Sequence, residues 1–249
     1  MKKSLFIDCT KGLASDMLVA ALLDCIDDSE KFLHEMQVKI CNNMVLNAEY
    51  VNSYERRGLI FKACDRDYNP SLAHMHAHTS LKEVYEFIDN SDFSSAVKNL
   101  ARGVYDLIAK AEAHVHGESC ETVHFHEVGS KRAIACILCA CAAFDSLSAD
   151  EIIFSPINTG YGKVVCAHGE VDVPAPATAE LLNGMPSFSL PRLKGELCTP
   201  TGAALAKYFA TDFKKANDIL LEKFELRGTG LGTKDIGEAG GILIFESVS

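Results

Sequence analysis

The apolar positions of this chain recur with periods that predict most of its elements. Leu5-Phe6-Ile7-Asp8-Cys9 reads as a short strand, and Ser15 is placed to cap a helix over 16–23, with Asp16 in its first turn. Residues 49–51 and 59–63 have strand character and predict an antiparallel hairpin joined through the polar stretch 54–58. After a polar loop over 66–79, Ser80 and Glu83 have the spacing of a capping box. Val97, Leu100, Val104, Leu107, Ile108, Ala111 and Val115 then repeat at helical spacing up to Gly117, which predicts a long amphipathic helix. A further helix, apolar on every side, runs through Leu147.

Beyond Ser148 the pattern shortens. Strands are expected at 151–154 and 163–166, the second after the Gly-rich turn 159–162. Pro174 and Pro176 introduce a helix over 177–183 that Gly184 ends, and another helix begins near Thr199-Pro200-Thr201 and runs to about Ala210. Strands near 219–225 and 241–247 close the chain. The expected class is α+β with mixed sheets, a helical half (1–147) followed by a strand-rich half (148–249), the two continuous in one domain if no boundary falls near Ser148.

Composition narrows the function. The formal charge of −10 disfavours nonspecific nucleic-acid binding, which needs Lys and Arg against phosphates. No apolar stretch is long enough to span a bilayer, and Met1-Lys2-Lys3-Ser4 leads straight into a strand rather than a signal peptide, so a cytoplasmic protein is expected. The ten cysteines form no paired knuckles; Cys136, Cys139 and Cys141 sit in an apolar run and read as buried thiols in a reduced compartment.

Seven of the nine histidines fall between positions 74 and 126. They form three groups: His74, His76 and His78 in a loop; His114 and His116 at the end of the long helix; and His124 and His126 beside Glu127. Alternation in an extended backbone puts such rings on one side, and imidazole suits Ni, Zn, Cu and Fe. Solvated loop histidines are the plain alternative for any one pair; three groups favour a metal role. Asp8 and Asp16 flank a strand–turn–helix that could hold a cation, although Asp16 is equally placed as an ordinary first-turn residue. The run Gly228-Thr229-Gly230-Leu231-Gly232-Thr233 could cradle a phosphate, and Thr199 and Thr201 open a helix N-terminus that could hold an anion or simply cap the helix.

Several ordered motifs resemble the LarC-type nickel-insertion family. They are Asp8-Cys9 with Gly12 and Asp16-Met17; Ala111-Glu112-Ala113 with Val115-His116-Gly117; and Val123-His124-Phe125-His126-Glu127-Val128-Gly129. Ala167-His168-Gly169, the stretch 173–178 with 180–182, Gly195-Glu196 with the stretch 199–204, and the stretch 228–235 follow in the same order. The resemblance implies insertion of Ni²⁺ into a pyridinium bis-thiocarboxylate mononucleotide, a lyase-class, CTP-dependent reaction that forms a carbon–nickel bond. It implies that His74, His76 and His78 form a short nickel-collecting segment; residue type and spacing make His116, His124 and His126 the other expected metal ligands, with His124 and His126 preferred. A base must take the ring proton that nickel displaces, a role that Glu127 could fill.

Arg132 and Cys136 stand where typical members carry acidic residues. The likeness covers the family's N-terminal region, so the CTP-handling C-terminal half, with its divalent cation, is expected as a separate partner chain. The small mononucleotide and a second copy of this chain in a homo-oligomer complete the expected partners, with no nucleic acid and no membrane. The alternatives are a non-catalytic nickel- or nucleotide-binding relative and, more remotely, a zinc hydrolase.

Overall fold

The computed structural model describes residues 2–40, 43–68, 79–166, 169–219, 223–234 and 236–248. In chain order, β1 (Ser4–Asp8), α1 (Ser15–Asp24) and α2 (Ser29–Lys39) precede the hairpin β2 (Met44–Ser53) and β3 (Arg56–Asp65). Then come β4 (Thr79–Ser80), α3 (Leu81–Asp89), α4 (Ser95–His116), β5 (His124–Phe125) and α5 (Lys131–Leu147). The short strands β6 (Glu151–Phe154), β7 (Ile157–Asn158), β8 (Gly160–Tyr161), β9 (Lys163–Cys166) and β10 (Gly169–Asp172) lead to α6 (Pro176–Leu182). Last are β11 (Ser187–Phe188), β12 (Gly195–Glu196), α7 (Pro200–Phe209), β13 (Asp212–Phe213), β14 (Phe224–Leu231) and β15 (Gly241–Ser247).

Seven strands form one mixed sheet in the order β13-β6-β1-β15-β14-β3-β2. β1 is its inner strand, parallel to β6 and antiparallel to β15, so the sheet joins strands from both sides of Ser148. Period-two alternation divides its core. Leu5 and Ile7 point into the main core with Phe154, Ile242 and Ile244, whereas Phe6 and Ile153 point the other way and meet Ile219. Leu5, Phe6 and Ile7 are all 0% exposed, as expected of a strand covered on both faces. The class is α+β with mixed sheets, as the pattern predicts.

The helices follow their sequence signals closely. The Ser80–Glu83 capping box forms, with Glu83 Oε2 accepting from the Ser80 N–H at 2.7 Å. α4 spans Ser95–His116 and stops at Gly117, whose φ of 68° completes a left-handed cap. α5, apolar on all sides, is buried from Ile134 to Phe144 and packs against α1, α4 and β3.

Three local expectations change. Ser15 is the first residue of α1 rather than its cap; the cap position belongs to Ala14, which makes no side-chain bond there. The hairpin is longer than its apolar core suggests, because polar residues on its open face continue the pairing from Met44↔Asp65 to Ser53↔Arg56. The strand expected near 219–225 runs instead from Phe224 to Leu231, through Gly228 and Gly230. Among the described residues no helix is long and apolar enough to cross a membrane, and the nine described cysteines are all free.

Candidate functional site

A turn over 9–14 and the start of α7 hold each other. Leu13 N–H donates to Leu197 O at 2.7 Å, and Thr199 N–H donates to Leu13 O at 3.0 Å. Gly202 permits this approach, since a Cβ there would lie 2.3 Å from Leu13 O. The Thr199 hydroxyl caps α7 by accepting from Gly202 N–H at 3.2 Å and lies 3.1 Å from the Thr201 hydroxyl. Thr201 in turn donates to the Ser15 hydroxyl at 3.1 Å. The N-termini of α1 and α7 are thus tied by a hydroxyl chain.

The stretch 124–130 is fixed from below. Phe125 is fully buried against Tyr105, their ring centroids 6.2 Å apart. The buried Tyr105 hydroxyl donates to Val128 O at 2.9 Å. The Ser130 hydroxyl donates to Glu127 O at 2.8 Å and also accepts from Ala133 N–H at 3.2 Å, capping α5. Glu127–Gly129 forms a single 3-10 turn, and at its entry His126 has φ −97° and ψ −105°. This backbone is not extended, so the alternation expected of His124 and His126 fails. His126 faces inward to a cavity, while His124, exposed on β5 opposite Ser80, stands near Glu83 instead. The Glu83 carboxyl is held below its usual range chiefly by hydrogen bonds from Ser80, with a smaller contribution from His124.

These elements enclose a cavity of about 740 Å³. Of the site residues expected from sequence, Asp16, His116, His126, Glu127, Thr199 and Thr201 line it. Asp8 does not; its carboxylate accepts from Thr10 N–H at 2.9 Å and from the Ser155 hydroxyl at 3.4 Å, organising the turn behind the wall. His74, His76 and His78 lie outside the described residues.

The glycine-rich run differs from the expected phosphate turn. Gly228 and Gly230 are strand residues pressed against α1, where a Cβ would come 2.2 Å from Ala21 O and 2.0 Å from Met17 O respectively. Close helix–strand packing therefore accounts for both. Gly232 follows the strand, facing Met17, and Thr233 beyond it reaches the cavity wall.

The fold brings to this cavity further residues to which the sequence assigned no role at a site. Glu112 lies one helical turn before His116, with Oε2 3.6 Å from His116 Nε2. Burial pushes the Glu112 carboxyl up, the His116 imidazole opposes that shift, and Glu127 adds to it. Glu196, on β12, is likewise pushed up by burial, opposed by Lys234 and reinforced by Glu127. The Glu127 charge therefore acts on both of these carboxyls. On another part of the wall, burial and the Asp16 charge push the Cys136 thiol up to about 12, while Arg132 and a hydrogen bond with Ser15 pull it down. Cys64 and Cys166 also reach the cavity. Only the Glu112–His116 spacing was readable from sequence; the others come together through tertiary packing.

Imidazoles, carboxylates and thiols on one wall supply the donors that a borderline divalent transition metal accepts. Among the described residues no three such side chains converge closely enough to hold a metal ion by themselves.

The chain belongs to the nickel insertion protein family, whose sequence model matches residues 5–245. It is 35% identical over 236 residues to the pyridinium-3,5-bisthiocarboxylic acid mononucleotide nickel insertion protein of Staphylococcus saprophyticus, covering 94% of this chain and 57% of that one. It is 37% identical over 245 residues to the protein of the same name from Clostridium kluyveri, covering 94% and 59% of the two chains. The chain thus spans somewhat less than three-fifths of the length of these relatives. No solved structure matches it.

Proposed function

We propose that this chain takes part in inserting nickel into a pyridinium bis-thiocarboxylate mononucleotide, and that the cavity between α1, α4, α5 and α7 is where metal and mononucleotide meet. The observation that supports this most is that Asp16, His116, His126, Glu127, Thr199 and Thr201, far apart in sequence, line one cavity in a chain of this family. Nickel is here a substrate. His116 and His126 offer imidazole nitrogen to the incoming Ni²⁺, and the thiocarboxylate sulfurs of the substrate, softer ligands, draw it off.

In the insertion step a ring C–H bond breaks, a C–Ni bond forms, and the released proton needs an acceptor. Glu127 is the proposed base: it stands on a turn fixed by Tyr105 and Ser130 and lines the cavity beside His126. The loop histidines His74, His76 and His78 are proposed to collect nickel. Energy coupling through CTP and a divalent cation is assigned to the portion of the longer relatives that this chain does not match. Free thiols throughout the described chain suit a cytoplasmic setting.

The test is to incubate the protein with nickel, CTP, the bis-thiocarboxylate precursor and the partner portion, and to follow nickelated product by mass spectrometry. Product that disappears with Glu127→Gln while nickel binding persists supports the proposal. Nickel binding with no product under any condition favours a non-catalytic nickel-binding relative.

A further inference from the structure

The cavity wall carries four acidic side chains, Asp16, Glu112, Glu127 and Glu196, against two basic ones, Lys62 and Arg132. Two of the acids have evident company. Glu112 pairs with His116, and Glu127 adjoins His126 in sequence and is held in a capped turn. Asp16 accepts from Met17 N–H at 2.9 Å and lies near Cys136 with Arg132. Glu196 differs. It is partly buried on β12, and its carboxylate accepts no hydrogen bond from another described residue.

The Lys234 ammonium stands near enough to oppose the effect of burial on the Glu196 carboxyl, but its hydrogen bond goes to the backbone. The ammonium donates to the backbone carbonyl of Glu196 at 3.4 Å rather than to the carboxylate. Gly195 makes room for this: with φ +91° and no Cβ, it lets Lys234 Nζ pass where a side chain would approach to 2.4 Å. The same cavity has apolar walls from Phe61, Val115, Val128, Val164 and Val171. A partly desolvated carboxylate with no hydrogen-bonding partner among the described residues, in a cavity that also has apolar walls, is suited to a flat organic cation, because such a ring needs no hydrogen bonds and loses little hydration on entering.

We propose that Glu196 is a specificity-determining residue that recognises the positive charge of a pyridinium ring held between the apolar walls. This rests on the reading that the cavity takes the mononucleotide, and it adds a residue and a criterion for choosing among mononucleotides: ring charge. Phosphate and ribose contribute equally to charged and uncharged forms, so the preference isolates the ring.

Oxidised nicotinamide mononucleotide carries a pyridinium ring, and its reduced form a neutral dihydropyridine with the same ribose phosphate. Calorimetric titration of the full chain with each gives the preference directly. The wild-type protein is expected to bind the oxidised form about tenfold more tightly, a difference of about 1.4 kcal/mol. Glu196→Gln is expected to bring the two affinities together while leaving that for the reduced form unchanged, which also reports that the variant is folded. Glu196→Asp should keep part of the preference. An unchanged preference in Glu196→Gln, or an equal loss for both forms, would overturn the assignment while leaving the mononucleotide reading intact. If neither form bound the wild-type protein, that underlying reading would fail and the assignment with it.

Discussion

Glu112 Oε2 lies 3.6 Å from His116 Nε2, one turn apart on α4 and both facing the cavity. Burial raises the Glu112 pKa and His116 counters the rise. A carboxyl whose folded pKa exceeds its unfolded value contributes stability below the unfolded pKa, and that contribution is lost as pH rises through the folded pKa. At pH 7.5 the buried charge therefore costs stability. Glu112→Gln should raise the melting temperature there by about 2 °C and leave it unchanged near pH 3.5. Calorimetry at the two pH values checks this; a lower melting temperature at pH 7.5 would mean the ion pair outweighs its desolvation.

His116→Ala removes the group that favours the charged form of Glu112, leaving burial and Glu127. The Glu112 pKa should rise further, which a carboxyl-carbon NMR titration would detect. A fall would show that the imidazole is not the opposing charge.

Tyr105 connects the core to the proposed base. Its hydroxyl bonds Val128 O within the turn that carries Glu127. Tyr105→Phe keeps the ring packing but leaves that buried carbonyl without its donor, so a stability loss of about 1–2 kcal/mol is expected in urea unfolding. Product formation should fall more than nickel binding does, because the turn alone aims Glu127, whereas nickel keeps the α4 imidazole even if the His126 ring at the entry of the turn shifts. Equal losses would argue against this positioning role.

Gly230 separates packing from ligand cradling. A methyl group there would meet Met17 O at 2.0 Å, so Gly230→Ala should cost about 2–3 kcal/mol. Gly184→Ala meets open space and only the strain of φ +84°, so about 1 kcal/mol is expected. If Gly230→Ala unfolded like the wild type yet lost mononucleotide affinity, the glycine would belong to a ligand site instead.

The parts of this structure governed by near neighbours were legible in the sequence. The capping box at Ser80 and Glu83, the α4 repeat and the apolar helix α5 all depend on spacings of three or four residues, which the chain displays openly. The glycine run was misleading because the same residue type serves turns and close packing, and only the position of α1 decides between them. His124 and His126 differ because one nonextended residue turns the second ring inward. Glu196 belongs to a motif whose spacing says nothing of a cavity, and Cys64 to no motif; they reach the cavity because β12 and β3 are brought there by pairings across the fold.

The decisive measurement is nickel stoichiometry by equilibrium dialysis for three chains: wild type, His116→Ala/His126→Ala, and His124→Ala. All three keep the loop histidines, so any difference belongs to the remaining imidazoles. The double variant should hold one nickel fewer per chain than wild type, and His124→Ala should match wild type. Full stoichiometry in the double variant, or a lost equivalent in His124→Ala, would contradict the placement of nickel in this cavity.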